Sequence, residues 1–358
     1  MQKNDIQTIR VNTQKPYEVM IGKDILHYVD NIIKNKKRVI ITDSNLYNLY
    51  KNNLSNIVDK DDIFYFKAGE ESKNRETLYA IYDFLINKKA DRYTYIIAVG
   101  GGVAGDIAAF AASTYMRGMP LIHVPTSLLA MVDSSIGGKT AINYGGLKNI
   151  IGSFYQPELV ISDVRFLDTL PTREYLSALS EIIKYGVIRD EKLFVFIEQN
   201  KEKIKEKNME TLIKIVTQST ENKVKIVEND EKEKGERALL NFGHTLAHAI
   251  ESITKYKEYL HGEAVSIGEI FATHLSIKKG LTNHSTLNRI KSLLDYFKLP
   301  TKINKEFNSK ELYRIMKQDK KNKNGVLRFV LTKGIGLSIL SHELSESDIM
   351  DSIHELKE

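Results

Sequence analysis

Cysteine is absent from the 358-residue chain. Disulfides and thiolate metal sites are thereby excluded, so any metal must be held by His, Asp or Glu. The absence is compatible with a reducing cytoplasm. No secretory leader is expected either, because the opening MQKNDIQTIR lacks the apolar core such a segment needs. Long uncharged apolar runs are also missing. The nearest approach, YIIAVGGGVAGDIAAFAAST (95–114), contains Asp106 and three consecutive glycines that would weaken a helix interior. A buried strand, a tight loop and a helix are expected there rather than a membrane span. Internal repeats and low-complexity linkers are absent too.

What is present describes an ordinary globular protein: 42% apolar residues, 27% charged and a formal net charge of +6. The basic excess raises nucleic-acid binding as a possibility, but it lies in mixed runs, NKEKIKEKN (200–208) and KQDKKNKN (317–324). The first reads as a solvated helix face, and neither carries interleaved aromatics for stacking on bases. A small anionic substrate accounts for the charge equally well, and neither nucleic acid nor membrane is expected as a partner.

Length alone favours two domains. The first half alternates apolar strand candidates, RVIITDS (38–44), DIFYFKA (62–68), TYIIAVGG (94–101), LIHVPTS (121–127) and LVISDV (159–164), with helical stretches at 74–89 and 104–118. This pattern predicts an α/β class protein with a Rossmann-like parallel sheet over 1–170. Ligands of such sheets bind at the carboxyl ends of strands, where Asp43, Gly100–Gly102 and Thr126-Ser127 fall. From Pro171 the periodicity turns helical, with little strand signal before VLRFVLT (326–332), so 171–358 is expected to form a mostly helical domain. The active site is expected in the cleft between the two.

Three stretches carry chemistry. GGGVAGD (100–106) ends a strand and opens a helix, which suits a phosphate or dinucleotide, although its spacing is not G-x-G-x-x-G. A tight structural turn explains it about as well. SSIGGKTAINYGGLKNIIGSFYQP (134–157) sets Lys139 and Lys148 in glycine-rich loops beside Asn149, an arrangement fit for phosphate or carboxylate. NFGHTLAHAI (241–250) puts His244 and His248 on one helical face, about 6 Å apart along the axis. They could be two ligands, a ligand and an acid–base group, or two packed imidazoles. Thr245 stands where the zinc-protease motif needs Glu. His261, opening a new helix in YLHGEAV, and Glu181, on an otherwise apolar helix, complete one carboxylate and two histidines of a catalytic zinc type. Taken alone, Glu181 is as simply explained by pairing with Lys184, three residues on.

Together these motifs resemble the 3-dehydroquinate synthase family through nearly the whole chain. The resemblance is carried by GEESK (69–73), GGGVAGD, YMRG (115–118), HVPTSLLAMVDSSIGGKTAIN (123–143), LKNIIGSFYQP (147–157), SEIIKYG (180–186), LLNFGHTLAHAIE (239–251) and HGEAV (261–265). It implies zinc, or cobalt, on Glu181, His244 and His261, with His248 as the proton-transfer histidine rather than a ligand. It implies NAD beside Asp43, Glu70, Lys73, Gly101, Gly102, Val103, Gly105, Asp106, Thr126, Ser127, Lys148, Phe166 and Thr169. Asp133 and Lys139 match positions shared by the cofactor and substrate sites. Arg117, Asn149, Lys184, Lys223, Arg237 and Asn241 match a polar substrate cage, and Lys321 is favoured over Lys320 for a phosphate contact. Ser127 replaces a common threonine and keeps the hydroxyl, while Leu147, Leu246 and Ala247 alter packing and loop conformation but not the reacting groups.

The implied reaction converts 3-deoxy-D-arabino-heptulosonate 7-phosphate into 3-dehydroquinate and phosphate, for aromatic amino acid and chorismate biosynthesis. C5 is oxidised transiently with NAD, phosphate is eliminated, C5 is reduced again, and an intramolecular aldol step closes the ring. A cytoplasmic homodimer is implied, with Arg117 reaching across to the other subunit's site. The competing readings are another sugar phosphate cyclase such as 2-deoxy-scyllo-inosose synthase, a metal-dependent polyol dehydrogenase, and a basic nucleic-acid-binding protein. Asp106, Lys139 and NFGH favour dehydroquinate synthase over the related cyclase.

Overall fold

The computed structural model of the chain describes residues 6–233, 235–318, 327–341 and 344–357. Its strands are β1 (Gln7–Val11), β2 (Tyr17–Gly22), β3 (Arg38–Asp43), β4 (Ile63–Phe66), β5 (Tyr95–Gly100), β6 (Leu121–Pro125), β7 (Lys139–Tyr144), β8 (Leu147–Phe154) and β9 (Leu159–Asp163) in the first half. Seven of them form one sheet in the order β1-β2-β9-β6-β5-β3-β4. Only β1 and β2 run antiparallel, and the remaining neighbours are parallel. β6 and β9 are buried along their whole length, which explains why they read as continuous apolar runs rather than alternating ones.

The five strands expected from the sequence are all present, and α3 (Arg75–Asn87) and α4 (Gly102–Thr114) are the expected helices; α1 (Tyr28–Ile32) and α2 (Ser44–Leu54) precede them. The chain leaves β3 for β4 at the sheet edge, then returns to β5 on the other side of β3. That reversal is a topological switch point, and the crevice it opens lies at the carboxyl ends of β3 and β5. Asp43 ends one and Gly100 the other.

One expectation is corrected. The segment read as glycine-rich loops is an antiparallel hairpin, β7 paired with β8, in which Lys139 begins the first strand and Lys148 lies in the second. Gly145 and Gly146, at φ +60° and +78°, turn the hairpin in the left-handed region that only glycine enters freely. Its strand signal was obscured because β8 is largely exposed and does not alternate.

Helices dominate thereafter: α5 (Thr172–Ile188), α6 (Glu191–Lys205), α7 (Met209–Asn229), α8 (His244–Ile253), α9 (His261–Lys278), α10 (His284–Tyr296), α11 (Ser309–Gln318) and α12 (Glu346–Glu355). A small hairpin of β10 (Phe329–Thr332) and β11 (Ser338–Ser341) accompanies them. The chain divides into two compact units, one of Met1–Leu170 with Leu212–Lys232, the other of Pro171–Thr211 with Glu233–Glu358. Most of α7 therefore counts with the sheet. In the second unit α9 is buried from Gly262 to Thr273 with little interruption, which fits a helix that packs on several neighbours rather than one. The residues expected as one helix around NFGH are broken: Glu236–Asn241 is a tight 3-10 turn and α8 starts afresh after Gly243, at φ +79°. A Cβ on Gly268 would stand 1.9 Å from the Gly243 carbonyl oxygen, so the start of α8 crosses α9 backbone to backbone. No helix among the described residues is long and apolar enough to cross a membrane.

Candidate functional site

In the first unit the glycine turn is built for close approach. A Cβ on Gly100 would lie 2.4 Å from that of Ala104, while Gly101 and Gly102 face the hydroxyls of Ser127 and Ser134 at ordinary contact distance. Helix α4 has no side-chain cap at Gly101, so the amide donors of its first turn, around Gly102 and Val103, can serve an anion. Gly105 N–H instead closes the helix onto Gly101, and Thr126 N–H holds the Gly100 carbonyl at 3.0 Å. Asp43 caps α2, accepting from Asn45 and Leu46 N–H at 2.9 and 3.1 Å.

Beside the turn lies a charged knot. Lys73 Nζ donates to Asp106 Oδ2 and to Asn149 Oδ1, each at 2.5 Å. Burial pushes the Asp106 carboxyl up, and the Lys73 ammonium opposes that shift. Asn143 extends the knot: its side-chain amide donates to Glu70 Oε1 at 2.8 Å, and its oxygen accepts from Asn149 N–H at 2.9 Å. Lys148 stands 3.8 Å from Glu70. Asn149 sits at φ +52°, a conformation asparagine tolerates better than most residues. The knot thus unites Glu70, Lys73, Asp106, Lys148 and Asn149, five residues chosen from the sequence. Asn143 was missed, since its bridging role appears only once the hairpin is folded.

Other expected residues lie elsewhere in this unit. Lys223, on α7, donates to Asp133 Oδ1 at 2.6 Å and also to its backbone carbonyl. Asp133 belongs to a short π-helical stretch, Ala130–Ser134, a geometry frequent at functional sites. Thr169 shares a hydroxyl contact of 2.6 Å with Tyr50, whose ring meets Phe166 edge-on at 4.9 Å. Lys139 and Arg117 are exposed.

In the second unit Glu181, His244 and His261 come together, with one donor atom from each lying within 4.8 Å of the others. Glu181 Oε1 is 3.5 Å from His244 Nε2 and 3.7 Å from His261 Nε2. Ligands on a tetrahedral zinc at about 2.0–2.1 Å stand roughly 3.4 Å apart, so the three donors fit such an ion. Glu181 answers the competing explanation by doing both things. Its Oε2 accepts from Lys184 Nζ, while its Oε1 is buried without a hydrogen bond and faces the two imidazoles. An orphaned buried carboxylate oxygen between two ring nitrogens is what a cation would satisfy.

The rings are aimed from behind. His244 Nδ1 lies 3.0 Å from the Phe242 carbonyl and His261 Nδ1 3.2 Å from Glu251 Oε1. Those contacts fix the protonated nitrogen and leave Nε2 as the ligating atom. Burial alone would depress His261, but the Glu251 hydrogen bond and charge outweigh it and hold the imidazole above its usual range. Glu251 is therefore a site residue that sequence reasoning missed, although it closes the LLNFGHTLAHAIE stretch. His248 packs edge-on against His244, ring centroids 5.6 Å apart. Lys184 and Arg237 are buried, at 1% and 2% exposure, and Asn241 ends the 3-10 turn before α8. Lys320 and Lys321 fall outside the described residues.

A Rossmann-like sheet with an uncapped glycine turn at its switch point, and a second unit holding a carboxylate and two histidines, define a nucleotide-binding α/β protein with a metal-competent helical unit. Comparison with known proteins narrows this. The 3-dehydroquinate synthase N-terminal family model matches residues 63–177 and the C-terminal model matches 178–322. A 3-dehydroquinate synthase of Prochlorococcus marinus is 44% identical over 335 residues, covering 90% of this chain and 92% of that one. The chain belongs to the 3-dehydroquinate synthase family.

Among solved structures, a 2-epi-5-epi-valiolone synthase of Streptomyces hygroscopicus with NAD+ and Zn2+ bound superposes with a TM-score of 0.86 at 25% identity, covering 95% of this chain and 96% of that one. A 2-deoxy-scyllo-inosose synthase complexed with carbaglucose-6-phosphate, NAD+ and Co2+ gives 0.87 at 26% identity, covering 98% and 100%.

Proposed function

We propose that the chain catalyses conversion of 3-deoxy-D-arabino-heptulosonate 7-phosphate into 3-dehydroquinate and inorganic phosphate, with NAD and one divalent cation as cofactors. The observation that carries the proposal is the orphaned Glu181 Oε1 facing two oriented histidines, in a chain of this family. NAD supplies a transient hydride acceptor that is restored within each turnover. The cation, zinc or cobalt, supplies Lewis acidity toward an alcohol or ketone oxygen.

The chain's own residues do the rest. Glu181, His244 and His261 hold the cation, and the Nδ1 contacts from Phe242 and Glu251 keep both imidazoles facing it. His248 is the proton-transfer group, adjacent to a ligand yet outside the donor triangle. The first turn of α4 and the Lys73–Asp106 pair hold NAD, with Asp43, Glu70, Lys148 and Thr169 around it, while Asn149, bonded to Lys73, belongs to the substrate cage. Lys139, Lys184, Lys223, Arg237 and Asn241, with Lys321, hold the substrate's carboxylate and phosphate, for which ammonium and guanidinium groups are suited.

The enzyme works as a homodimer in the cytoplasm, a compartment with which a cysteine-free chain is compatible. Arg117 supports the dimer: it is exposed, makes no side-chain hydrogen bond or ion pair among the described residues, and lies in a run of positive φ from Met116 to Gly118. An arginine held on so constrained a backbone, with no partner among the described residues, suits a site on a second copy.

Incubation of the metal-loaded chain with the heptulosonate phosphate and substoichiometric NAD tests the assignment. Phosphate and dehydroquinate should appear together over many turnovers, with no lasting NADH absorbance. Stoichiometric NADH accumulation would move the protein to the polyol dehydrogenases.

A further inference from the structure

Helix α5 addresses the segment that carries His261 at three successive points. Arg173, Ser177 and Glu181 are spaced by four residues, so they lie along one face of the helix. At the first point the Arg173 guanidinium grips Glu263 with two hydrogen bonds, Nε to Oε1 at 2.7 Å and Nη2 to Oε2 at 2.8 Å. The same Nη2 also donates to the Glu258 carbonyl at 2.7 Å. At the second point the backbones touch: a Cβ on Gly262 would lie 1.9 Å from the Ser177 carbonyl oxygen. At the third, Glu181 Oε1 faces His261 Nε2 at 3.7 Å.

Glu263 has a further task. Its Oε2 accepts the Leu260 N–H at 2.9 Å, reaching back from the third residue of α9 to the residue before the helix. Arg173 therefore holds Glu258 and Glu263, and through Glu263 it holds Leu260, so that His261 is fixed from both sides. We propose that the Arg173–Glu263 clamp is a positioning device for the metal site, setting the distance between the α5 ligand and the α9 ligand. The inference rests on the metal reading of Glu181, His244 and His261.

The clamp's exposure separates this role from a merely structural one. The Arg173 side chain is 61% exposed and Glu263 14%, so the guanidinium stays in water. Glu263 keeps the Leu260 N–H as a partner when Arg173 is lost, which limits the cost to global stability. A planar, bidentate grip gives direction that a lysine reproduces only in part. Loss of a partner bonded directly to a ligand lowers metal affinity by about 10- to 100-fold, and Arg173, which acts through Glu263 and the start of α9, is expected at the lower end of that range.

The test uses the full-length chain, titrated with zinc against a chromophoric chelator, with the thermal midpoint of the metal-free protein measured in parallel. Arg173→Gln should weaken zinc binding by about tenfold or more while leaving the metal-free midpoint unchanged, and Arg173→Lys should recover part of the affinity. Gly262→Ala, which moves the backbone contact itself, should weaken zinc further. Wild-type zinc affinity in Arg173→Gln, alongside its loss in Glu181→Ala, overturns the clamp and leaves the metal reading standing. Parallel loss of midpoint and affinity, with no recovery by Arg173→Lys, also overturns it. A wild-type chain that binds neither zinc nor cobalt overturns clamp and metal reading together.

Discussion

Lys73 Nζ lies 2.5 Å from Asp106 Oδ2, with the two side chains 5% and 18% exposed. Such a pair is asymmetric in its consequences. Making it gains little over apolar packing, but removing one member strands the other charge away from water. Lys73→Met should therefore destabilise the chain by about 3 kcal/mol at neutral pH. Urea unfolding at several pH values checks the cause. The loss should shrink on acidification, because a protonated Asp106 no longer needs the ammonium. A loss independent of pH would assign Lys73 to packing instead.

The donor triangle makes a discriminating set of variants. Glu181→Ala, His244→Ala and His261→Ala should each lower bound zinc sharply by elemental analysis, whereas His248→Ala should keep the metal and lose turnover. Full occupancy in His261→Ala would remove that residue from the ligand set.

His123 gives an acid-sensitive contribution. It lies in β6, 7% exposed, and burial pushes its imidazole down to about 4. The unfolded chain then binds the extra proton more readily, so stability is full above pH 6.5 and lost as pH falls toward 4. The shift amounts to roughly 3 kcal/mol over that window. His123→Leu should flatten this part of the stability profile, and an unchanged acid limb would show that other groups dominate it.

Glu269 is buried at 0% exposure with neither carboxylate oxygen hydrogen-bonded among the described residues. Burial, then the charge of Glu181, raises its carboxyl well above the ordinary range. Glu269→Met should raise the urea midpoint by the equivalent of about 1–3 kcal/mol, since it removes an unsatisfied buried group at similar volume. A lowered midpoint would mean that the carboxyl has an unseen partner.

Subunit mixing tests Arg117. Arg117→Ala and His248→Ala should each be inactive, and random exchange makes about half the dimers hybrid. If Arg117 serves the other subunit, each hybrid holds one intact site and roughly a quarter of wild-type activity returns. Verified exchange with no recovery would confine Arg117 to its own subunit.

Much of this arrangement was legible in the residues. The buried strands announced themselves by length and composition, and the glycine turn by the abrupt change of pattern at Gly100–Gly102. The β7–β8 hairpin was not, because its glycines and positive-φ Asn149 break the alternation that marks a strand. Helical periodicity also could not show that Leu212–Lys232 would count with the sheet, since it fixes a helix face and not the neighbour it packs on. At the metal site the donor types could be read, but Glu251, Arg173 and Glu263 act through distances that no spacing rule encodes.

The Gly262–Ser177 contact also bears on the order of events in synthesis. Glu181 leaves the ribosome well before His244 and His261, together with Lys184, the residue that donates to its Oε2. The donor triangle closes when α9 has settled against α5 at a spacing only glycine permits. The complete ligand set is therefore available only once α9 is made and packed on α5, and not to the chain that ends before His261.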